Sequence, residues 1–262
     1  MPVCRLERSV ISLRGDDVAE FLNGLITNSL QDDLTFAALL TPQGKVIADF
    51  FIHKAGDHFL LETAEKFAKV LALRLKMYKL RAKIDIVDVS ADYDIYALWD
   101  GTGNIGLNDP RHPKLGQRLL AKPGSLSPEH TPEDYDLHRM SLGVPDSMWD
   151  FDTEQMFPAD ANMDLLNGVD YKKGCFIGQE VVSRMHRKTD VRKRMRAVKL
   201  SGTAQAGDGV KAGGRTIGKL NHVRGDMGMA LIRLDRLAAS TDDVLVNDIP
   251  VTIMEPNYEP QS

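Results

Sequence analysis

The spacing of apolar residues predicts an N-terminal part built from strands and a few helices. Residues 3–13 alternate between apolar and polar types, as a strand does, and apolar residues between Val18 and Leu25 recur at helical spacing. Two apolar runs on either side of residues 42–44 (Pro-Gln-Gly) predict a hairpin. Residues 65–78 carry a broad apolar face and predict a helix. We therefore expect a mostly antiparallel sheet with helices packed against it, an α+β fold.

The second half of the chain changes character twice. Residues 101–130 are rich in glycine and proline, which predicts loops. Thr131-Pro132, followed by two acidic residues, predicts a helix that runs to about Leu142. After Lys188, short strand-like runs are separated by Gly, Asp and Asn, which is typical of a small all-β module such as a barrel.

Composition limits the functions that this chain can have. It has 262 residues, a formal charge of −4 and 27% charged residues, so nothing in its overall charge favours nucleic acid or a membrane. No apolar run approaches the roughly 18 residues that a membrane span needs. The first residues, Met1 to Arg5, show no apolar signal core, and we expect a cytoplasmic protein.

The cysteine and histidine content argues against a resident metal. The chain has two cysteines, Cys4 and Cys175, whereas a protein that holds its own iron–sulfur cluster usually supplies about four thiolates. Its seven histidines are dispersed, without the spacing of metal ligands on one helix. We expect no permanently bound metal or cluster.

The stretch Lys172 to Glu180 carries the candidate chemistry. It places Cys175 between two glycines, after a pair of lysines and before Gln179-Glu180. Val181, Val182 and Ser183 then predict the start of a helix that ends near His186. Unpaired backbone N–H groups at a helix N-terminus and nearby lysines favour a thiolate. The alternative is a small buried hydrophobic residue in a tight turn, and the local pattern leaves both interpretations open.

Two other patterns are less specific. Residues 101–106 fit G-x-G-x-x-G, but the prolines that follow prevent the helix that a dinucleotide site needs, so we do not predict one. Residues 184–199 contain eight basic residues and one acid, Asp190. This stretch suits a polyglutamate tail, an acidic partner protein or simply solvent, and it lacks the aromatic residues that stack on single-stranded nucleic acid.

Several polar positions have both structural and binding interpretations. Asn28, after Thr27, is typical of a helix C-cap or offers an amide to a heterocycle edge. Asp49 lies within an apolar strand and either faces solvent or lines a cavity. Arg81 and Arg139 lie just past or within helices, where basic residues commonly offset the dipole.

Taken together, these motifs resemble the YgfZ family, which is related to the T-protein (aminomethyltransferase) of the glycine cleavage system. Lys173 to Glu180, followed by Arg184, resembles the family signature K-G-C-[FY]-x-G-Q-E-x-x-x-R. The likeness extends over nearly the whole chain, through segments at 15–28, 42–45, 78–81, 139–145 and 158–164.

The resemblance implies a T-protein-like ring of three domains. Two interleaved α+β domains would occupy residues 1–190 around a central channel, and a C-terminal β-barrel would occupy residues 191–262. It implies tetrahydrofolate or a derivative in the channel. Its implied folate residues match Thr27, Asn28, Asp49, Tyr78, Arg81, Arg139 and Asp160, and its functional motif matches Lys173, Cys175, Gln179, Glu180 and Arg184.

The implied function is help in making or repairing iron–sulfur clusters, which makes the protein more an assembly factor than a classical enzyme. Its partners would be client enzymes, including radical enzymes that modify tRNA, or cluster-assembly proteins. The alternative is a folate-dependent aminomethyltransferase with Asp49 as acid or base. Two departures count against it: Ala48-Asp49 replaces a pair of aspartates, and Asp160 replaces a glutamate that meets the pterin.

Overall fold

The computed structural model describes residues 1–101, 103–188, 191–256 and 258. Its described strands form three β units: a four-stranded sheet, a five-stranded sheet and a closed barrel of six strands. The strand pairs within all three units are antiparallel. The predicted α+β class with a C-terminal barrel is confirmed.

The five-stranded sheet forms the centre of the N-terminal part. Its strands are β2 (Arg8–Arg14), β3 (Leu34–Leu40), β4 (Val46–Ala55), β5 (His58–Ala64) and β6 (Asp85–Asp88). Their spatial order is β3-β4-β5-β2-β6. Helices α1 (Val18–Asn23) and α2 (Glu65–Tyr78) contribute apolar residues to the core on one face of the sheet.

Residues 3–13, predicted as one strand, form two strands that belong to different sheets. Strand β1 (Val3–Leu6) pairs with β7 (Asp94–Leu98) in the four-stranded sheet, and β2 joins the five-stranded sheet. The prediction of a single strand was wrong. Alternation of apolar and polar residues shows which face of a sheet a residue occupies but not which sheet it joins, and both strands bury apolar residues.

The four-stranded sheet draws two of its strands from the segment that was predicted as loops. Strands β8 (Leu107–Asn108) and β9 (Gln117–Ala121) follow β7 in the order β1-β7-β9-β8. Helix α3 (Pro132–Ser141) packs on this sheet and begins, as predicted, at Thr131, whose side chain and that of Asp134 form a capping box.

The barrel follows helix α4 (Gln179–Lys188). It closes through pairing of its first and last strands, and a buried apolar cluster fills it. Its elements are β10 (Lys193–Leu200), β11 (Gly209–Ala212), β12 (Arg215–Arg224), β13 (Met227–Arg233), α5 (Leu234–Ala238), β14 (Val244–Val246) and β15 (Ile249–Ile253).

A second apolar core joins the sheet to the barrel. Phe36 and Phe51 lie on the face of the sheet opposite α2. They pack in one cluster with Phe176 from residues 172–180, called the cysteine segment below, and with Met195 and Met229 from the barrel. This arrangement fixes the cysteine segment between the two units. Among the described helices, none combines the length and the hydropathy that crossing a membrane requires.

Candidate functional site

A cavity of about 880 Å³ opens where the three β units approach one another. Strand β3 and the loop before it provide one wall, Pro110 comes from the four-stranded unit, and Arg194 comes from the barrel. The other lining residues are Asn28, Gln31, Leu34, Phe36, Asp164, Leu165, Asn167, Val169, Asp170, Tyr171, Lys172, His186 and Val191. Its volume lies within the range of sites for drug-sized ligands.

Aromatic rings form one wall of this cavity. The rings of Tyr171 and His186 stack with centroids 3.8 Å apart and planes 13° apart, which joins helix α4 to the segment before it. Burial raises the pKa of the Tyr171 phenol, so this side chain stays neutral at physiological pH. The pair therefore places two aromatic side chains at the cavity wall.

Charged groups complete the wall. Arg194 makes two hydrogen bonds of 2.8 Å to the carboxylate of Asp164, so this cation is paired within the protein. Lys172 lines the opening and is exposed. The lining thus combines stacking surface, amides and charges of both signs.

The cysteine segment leaves the cavity and is anchored at its first turn. The carboxylate of Asp170 accepts hydrogen bonds from the backbone N–H groups of Lys172 and Lys173 and from the hydroxyl of Ser29. The Lys173 ammonium donates to the carbonyls of Ile26 and Asn28, at 2.8 and 3.0 Å. Burial lowers the pKa of Lys173 to about 8.

The structure shows a role for Lys173 that the sequence did not indicate: its ammonium binds backbone carbonyls of the loop after α1. This contact fastens the cysteine segment to the N-terminal sheet. The effect of Lys173 on the thiol stays a prediction.

The far end of the segment is held by Gly178. This glycine has φ +79, and a Cβ there would lie 2.6 Å from the Thr41 carbonyl oxygen and 3.0 Å from the Gly44 Cα. The β3–β4 hairpin thus packs directly on the turn that precedes α4. Only glycine combines this backbone conformation with so close an approach.

Cys175 lies between these two anchors, and its side chain is exposed. The buried-hydrophobe alternative is excluded by that exposure. Helix α4 begins at Gln179, four residues later, so the thiol lies outside the helix's first turn and the dipole argument loses its geometric basis. Glu180 and Arg184, on α4, form an exposed ion pair with each other.

Of the predicted folate residues, Asn28 lines the cavity. Its amide nitrogen donates to the carbonyls of Phe36 and Asn167, and its amide oxygen accepts from Ser29, so the protein itself uses these groups. The neighbouring Thr27 is buried and bonds to Gly168 and Ala38. The geometry gives both residues a structural part in shaping the wall.

Asp49 and Arg139 lie in the interior, outside the cavity wall. The carboxylate of Asp49 accepts a hydrogen bond from Ser147, and burial and then Asp146 raise its pKa. The guanidinium of Arg139 is fully buried and forms ion pairs with Asp136 and Asp150. These side chains link structural elements, and the structure does not bring them to the candidate site.

Tyr78, Arg81 and Asp160 are likewise outside the cavity wall. Tyr78 ends α2 and packs against the sheet core, and Arg81 is exposed just after it. Asp160 is buried, where desolvation raises its pKa, and its carboxylate accepts from the backbone N–H of Phe157. Of the seven residues that the resemblance grouped, Asn28 alone lines this cavity, and their role in folate binding stays a prediction.

Sequence reasoning missed a cluster of buried charges between the two sheets. Arg118 is fully buried and binds Glu62. Burial alone would raise the pKa of Glu62, but the charges of Arg118 and Arg8 hold this pKa well below its usual range. Three guanidinium groups approach the face of Phe51. The members are Arg8, Glu62, Asp109, Arg111, Arg118 and Asp146. Buried arginines leave no distinctive local spacing, so the sequence carried no signal for this cluster.

Two predicted patterns fall partly on residues that lie outside the described ones. Thr102 of the glycine-rich motif and Asp190 of the basic stretch are among these, as is the side chain of Lys188. The described remainder of the glycine motif precedes strand β8, and no described helix begins there. Within the described residues, no group of three or more His, Cys, Asp or Glu side chains is placed to hold a metal ion.

Comparison with solved structures supports the fold. The chain superposes on a glycine cleavage system aminomethyltransferase T from Bartonella henselae with a TM-score of 0.76, over 97% of this chain and 85% of the other. The two are 12% identical, so this likeness concerns the fold alone. The expected T-protein-like architecture is confirmed.

Comparison with sequences decides the family. Residues 192–261 match the model of the CAF17 C-terminal β-barrel domain. The chain is 31% identical to an iron–sulfur cluster assembly factor IBA57 homologue, mitochondrial, from Phaeosphaeria nodorum, over 88% of this chain and 70% of that protein. The chain belongs to the IBA57 family. A homologue from Mycosarcoma maydis is 29% identical, and there the match covers 72% of this chain and 54% of that protein.

The comparisons refine two expectations. The chain spans about half the length of the first relatives that it matches, so what those whole proteins do comes to this chain as a proposal. They name IBA57 where the sequence suggested YgfZ, and the finer assignment stays a prediction. The cytoplasmic expectation was wrong, because the matched IBA57 relatives are named as mitochondrial proteins.

Proposed function

We propose that this member of the IBA57 family assists the assembly or repair of iron–sulfur clusters in client enzymes through Cys175. The observation that carries the proposal is the exposed thiol of Cys175 in a segment anchored by Lys173 on one side and Gly178 on the other. Family membership supports the same role, because the relatives are named as cluster assembly factors.

A single thiolate suits a helper. Cluster iron is bound by thiolate sulfur, and a lone cysteine supplies one of about four ligands. Cys175 therefore acts on a cluster whose other ligands come from a client enzyme or an assembly protein. In this role the cluster is bound transiently as a substrate, and the anchors at Lys173 and Gly178 hold the thiol in position for the partner. The likeness of residues 173–184 to the YgfZ signature supports clients that include radical enzymes of tRNA modification.

We further propose that the central cavity binds tetrahydrofolate or a derivative. The volume of about 880 Å³ suits such a ligand, and Tyr171 and His186 offer a flat surface for its ring. The residues that would hold it are these two rings together with Phe36 and Lys172, whose charge suits a carboxylate. This set differs from the one that the sequence resemblance implied.

The geometry does not favour aminomethyl transfer. That activity would require Asp49 to meet the folate, yet its carboxylate is buried against Ser147 and does not line the cavity. The aminomethyltransferase fold itself carries no argument for activity at 12% identity.

The cysteine proposal is tested in cells that lack their own copy of the gene. We expect Cys175→Ala and Cys175→Ser to lose most of the restored activity of cluster-dependent enzymes, normalised to the amount of each enzyme. Arg187→Ala, which removes an exposed charge on α4, serves as control and should restore it. Full restoration by both cysteine variants at normal protein level would remove the thiol from the mechanism.

A further inference from the structure

The outer face of helix α2 and the turn after it carry an apolar ridge that nothing else in the described structure covers. Leu73, Met77 and Leu80 are 59%, 56% and 87% exposed. Leu73 and Met77, four residues apart, lie in one row on the helix surface, and Leu80 follows three residues later, just past the helix end. Leu80 has φ +45, and this left-handed residue ends the helical path and leaves its side chain outward.

The surroundings of the ridge are basic. Residues 65–83 contain seven lysines and arginines and a single acid, Glu65. Lys69 and Lys76 are exposed and lie one turn before and one turn after Leu73 on the same face, and Arg81 and Lys83 are exposed beyond the helix. Lys66 and Arg74 pair with Asp152 and Glu154, so they belong to the fold.

Exposed apolar residues in a row at helical spacing are the anchors that a helix inserts into a groove. Scattered exposed leucines need no explanation, but a contiguous row does. The buried side of α2 is already occupied by the sheet core, through Phe67, Leu71 and Leu75. The ridge is therefore separate from the residues that fold the helix.

We propose that Leu73, Met77 and Leu80 form a docking ridge for a partner protein that presents an apolar groove bordered by carboxylates. The positive charge around the ridge selects an acidic partner by complementarity. A lipid surface fits less well, because the ridge is one row wide and no aromatic residue is among the exposed large apolar residues of the described chain. A second copy of this face fits less well because like charges would meet.

The proposal goes beyond the cluster function and does not depend on Cys175 or on the cavity. It gives Tyr78 and Arg81 roles other than the folate binding that the sequence resemblance implied. Tyr78 secures the end of α2 against the core, and Arg81 contributes to the basic border of the ridge. This surface gives an assembly factor a docking contact apart from its reactive thiol.

The test begins with a photo-crosslinker in the full chain in cells. We expect Leu73→p-benzoylphenylalanine to form a crosslink to one acidic protein, and Leu137→p-benzoylphenylalanine, at an exposed leucine on α3, to form none with it. The crosslinked protein is then purified and its binding to the unmodified chain is measured.

Binding should weaken at least tenfold for each of two double variants, Leu73→Ser/Leu80→Ser and Lys69→Glu/Lys76→Glu. The salt dependence of binding should decrease in the Lys69→Glu/Lys76→Glu variant and stay unchanged in the Leu73→Ser/Leu80→Ser variant. Equal crosslinking from positions 73 and 137, no crosslink from 73, or a crosslink to a second copy of this chain would overturn the proposal. Ridge-dependent sedimentation with phosphatidylcholine–phosphatidylserine vesicles, without a protein crosslink, would also overturn it. Circular dichroism on the variants establishes that the fold is unchanged.

Discussion

Gly178 meets Gly44 across the junction between the cysteine segment and the β3–β4 hairpin. A Cβ on Gly178 would lie 3.0 Å from the Gly44 Cα, and one on Gly44 would lie 3.1 Å from the Val181 Cβ. Each glycine also has a positive φ, +79 and +80. The contact therefore ties the hairpin to the start of α4 through backbone that only glycine provides.

Gly178→Ala should lower the free energy of unfolding by about 1–3 kcal/mol, since the methyl group meets a backbone carbonyl and the conformation is strained for alanine. Gly174→Ala is the matched control, because a Cβ at Gly174 meets nothing within 4 Å. Urea denaturation of both variants measures the effect. Equal stability for the two would mean that the junction is not as tight as the contact indicates.

The two cysteines should differ sharply in reactivity. Cys175 is exposed, whereas Cys4 is buried and desolvation raises its pKa to about 12. We expect the native protein to react with one equivalent of a thiol reagent such as dithionitrobenzoate, and a second equivalent to react only on unfolding. Cys175→Ser should remove the fast phase and leave the slow one. A fast phase that survives in this variant would place Cys4 at the surface.

Lys173 should titrate at an unusually low pH for a lysine. Burial lowers its pKa to about 8 from an ordinary 10.5 while its ammonium donates to two carbonyls. Between pH 8 and 10.5 the unfolded chain binds more protons at this residue, so its contribution to stability becomes more favourable as pH rises. Reductive ¹³C-methylation and NMR titration measure this pKa. Relative to Lys173→Met, the wild type should gain stability across that range, and a loss would contradict the assignment.

Arg139 and Arg81 were both predicted to bind folate, and the structure gives them opposite environments. Arg139→Met leaves Asp150 buried without its guanidinium partner, while Asp136 keeps His222 and Arg224, and the variant should cost about 3–5 kcal/mol of stability. Arg81→Met, at an exposed position, should change stability by less than about 0.5 kcal/mol. Thermal or urea denaturation of the two variants tests the difference. A stable Arg139→Met protein would mean that the ion pairs are not formed.

Local patterns predicted most of the elements but not how they meet. The hairpin at residues 42–44, the capped helix after Thr131 and helix α2 all form where apolar spacing and capping residues placed them. Strands β8 and β9 were missed because they are short and flanked by glycine and proline, which mask a strand's period. The split of residues 3–13 between two sheets depends on pairing partners far along the chain.

The candidate site was predicted only in part, because some of its residues have a local pattern and others are brought together by the fold. Cys175 was found from its local frame, and its exposure agrees with that choice. The cavity wall was not found, because Phe36, Tyr171 and Arg194 come from distant segments and have no common spacing. Lys173 was recognised as a candidate, but its contact was not found, since the sequence cannot show that its ammonium reaches the loop after α1.

The cavity proposal leads to a comparison of two tyrosines. Tyr171 lines the cavity and stacks on His186, whereas Tyr78 packs against the sheet core away from it. If tetrahydrofolate lies against the Tyr171 ring, Tyr171→Leu should weaken its binding about two- to tenfold, because an aromatic contact contributes roughly 0.5–1.5 kcal/mol beyond the buried area. Tyr78→Leu should leave the affinity unchanged. Calorimetric titration of tetrahydrofolate into the wild type and both variants measures this. Loss of affinity in Tyr78→Leu alone would instead support the residues that the sequence resemblance implied.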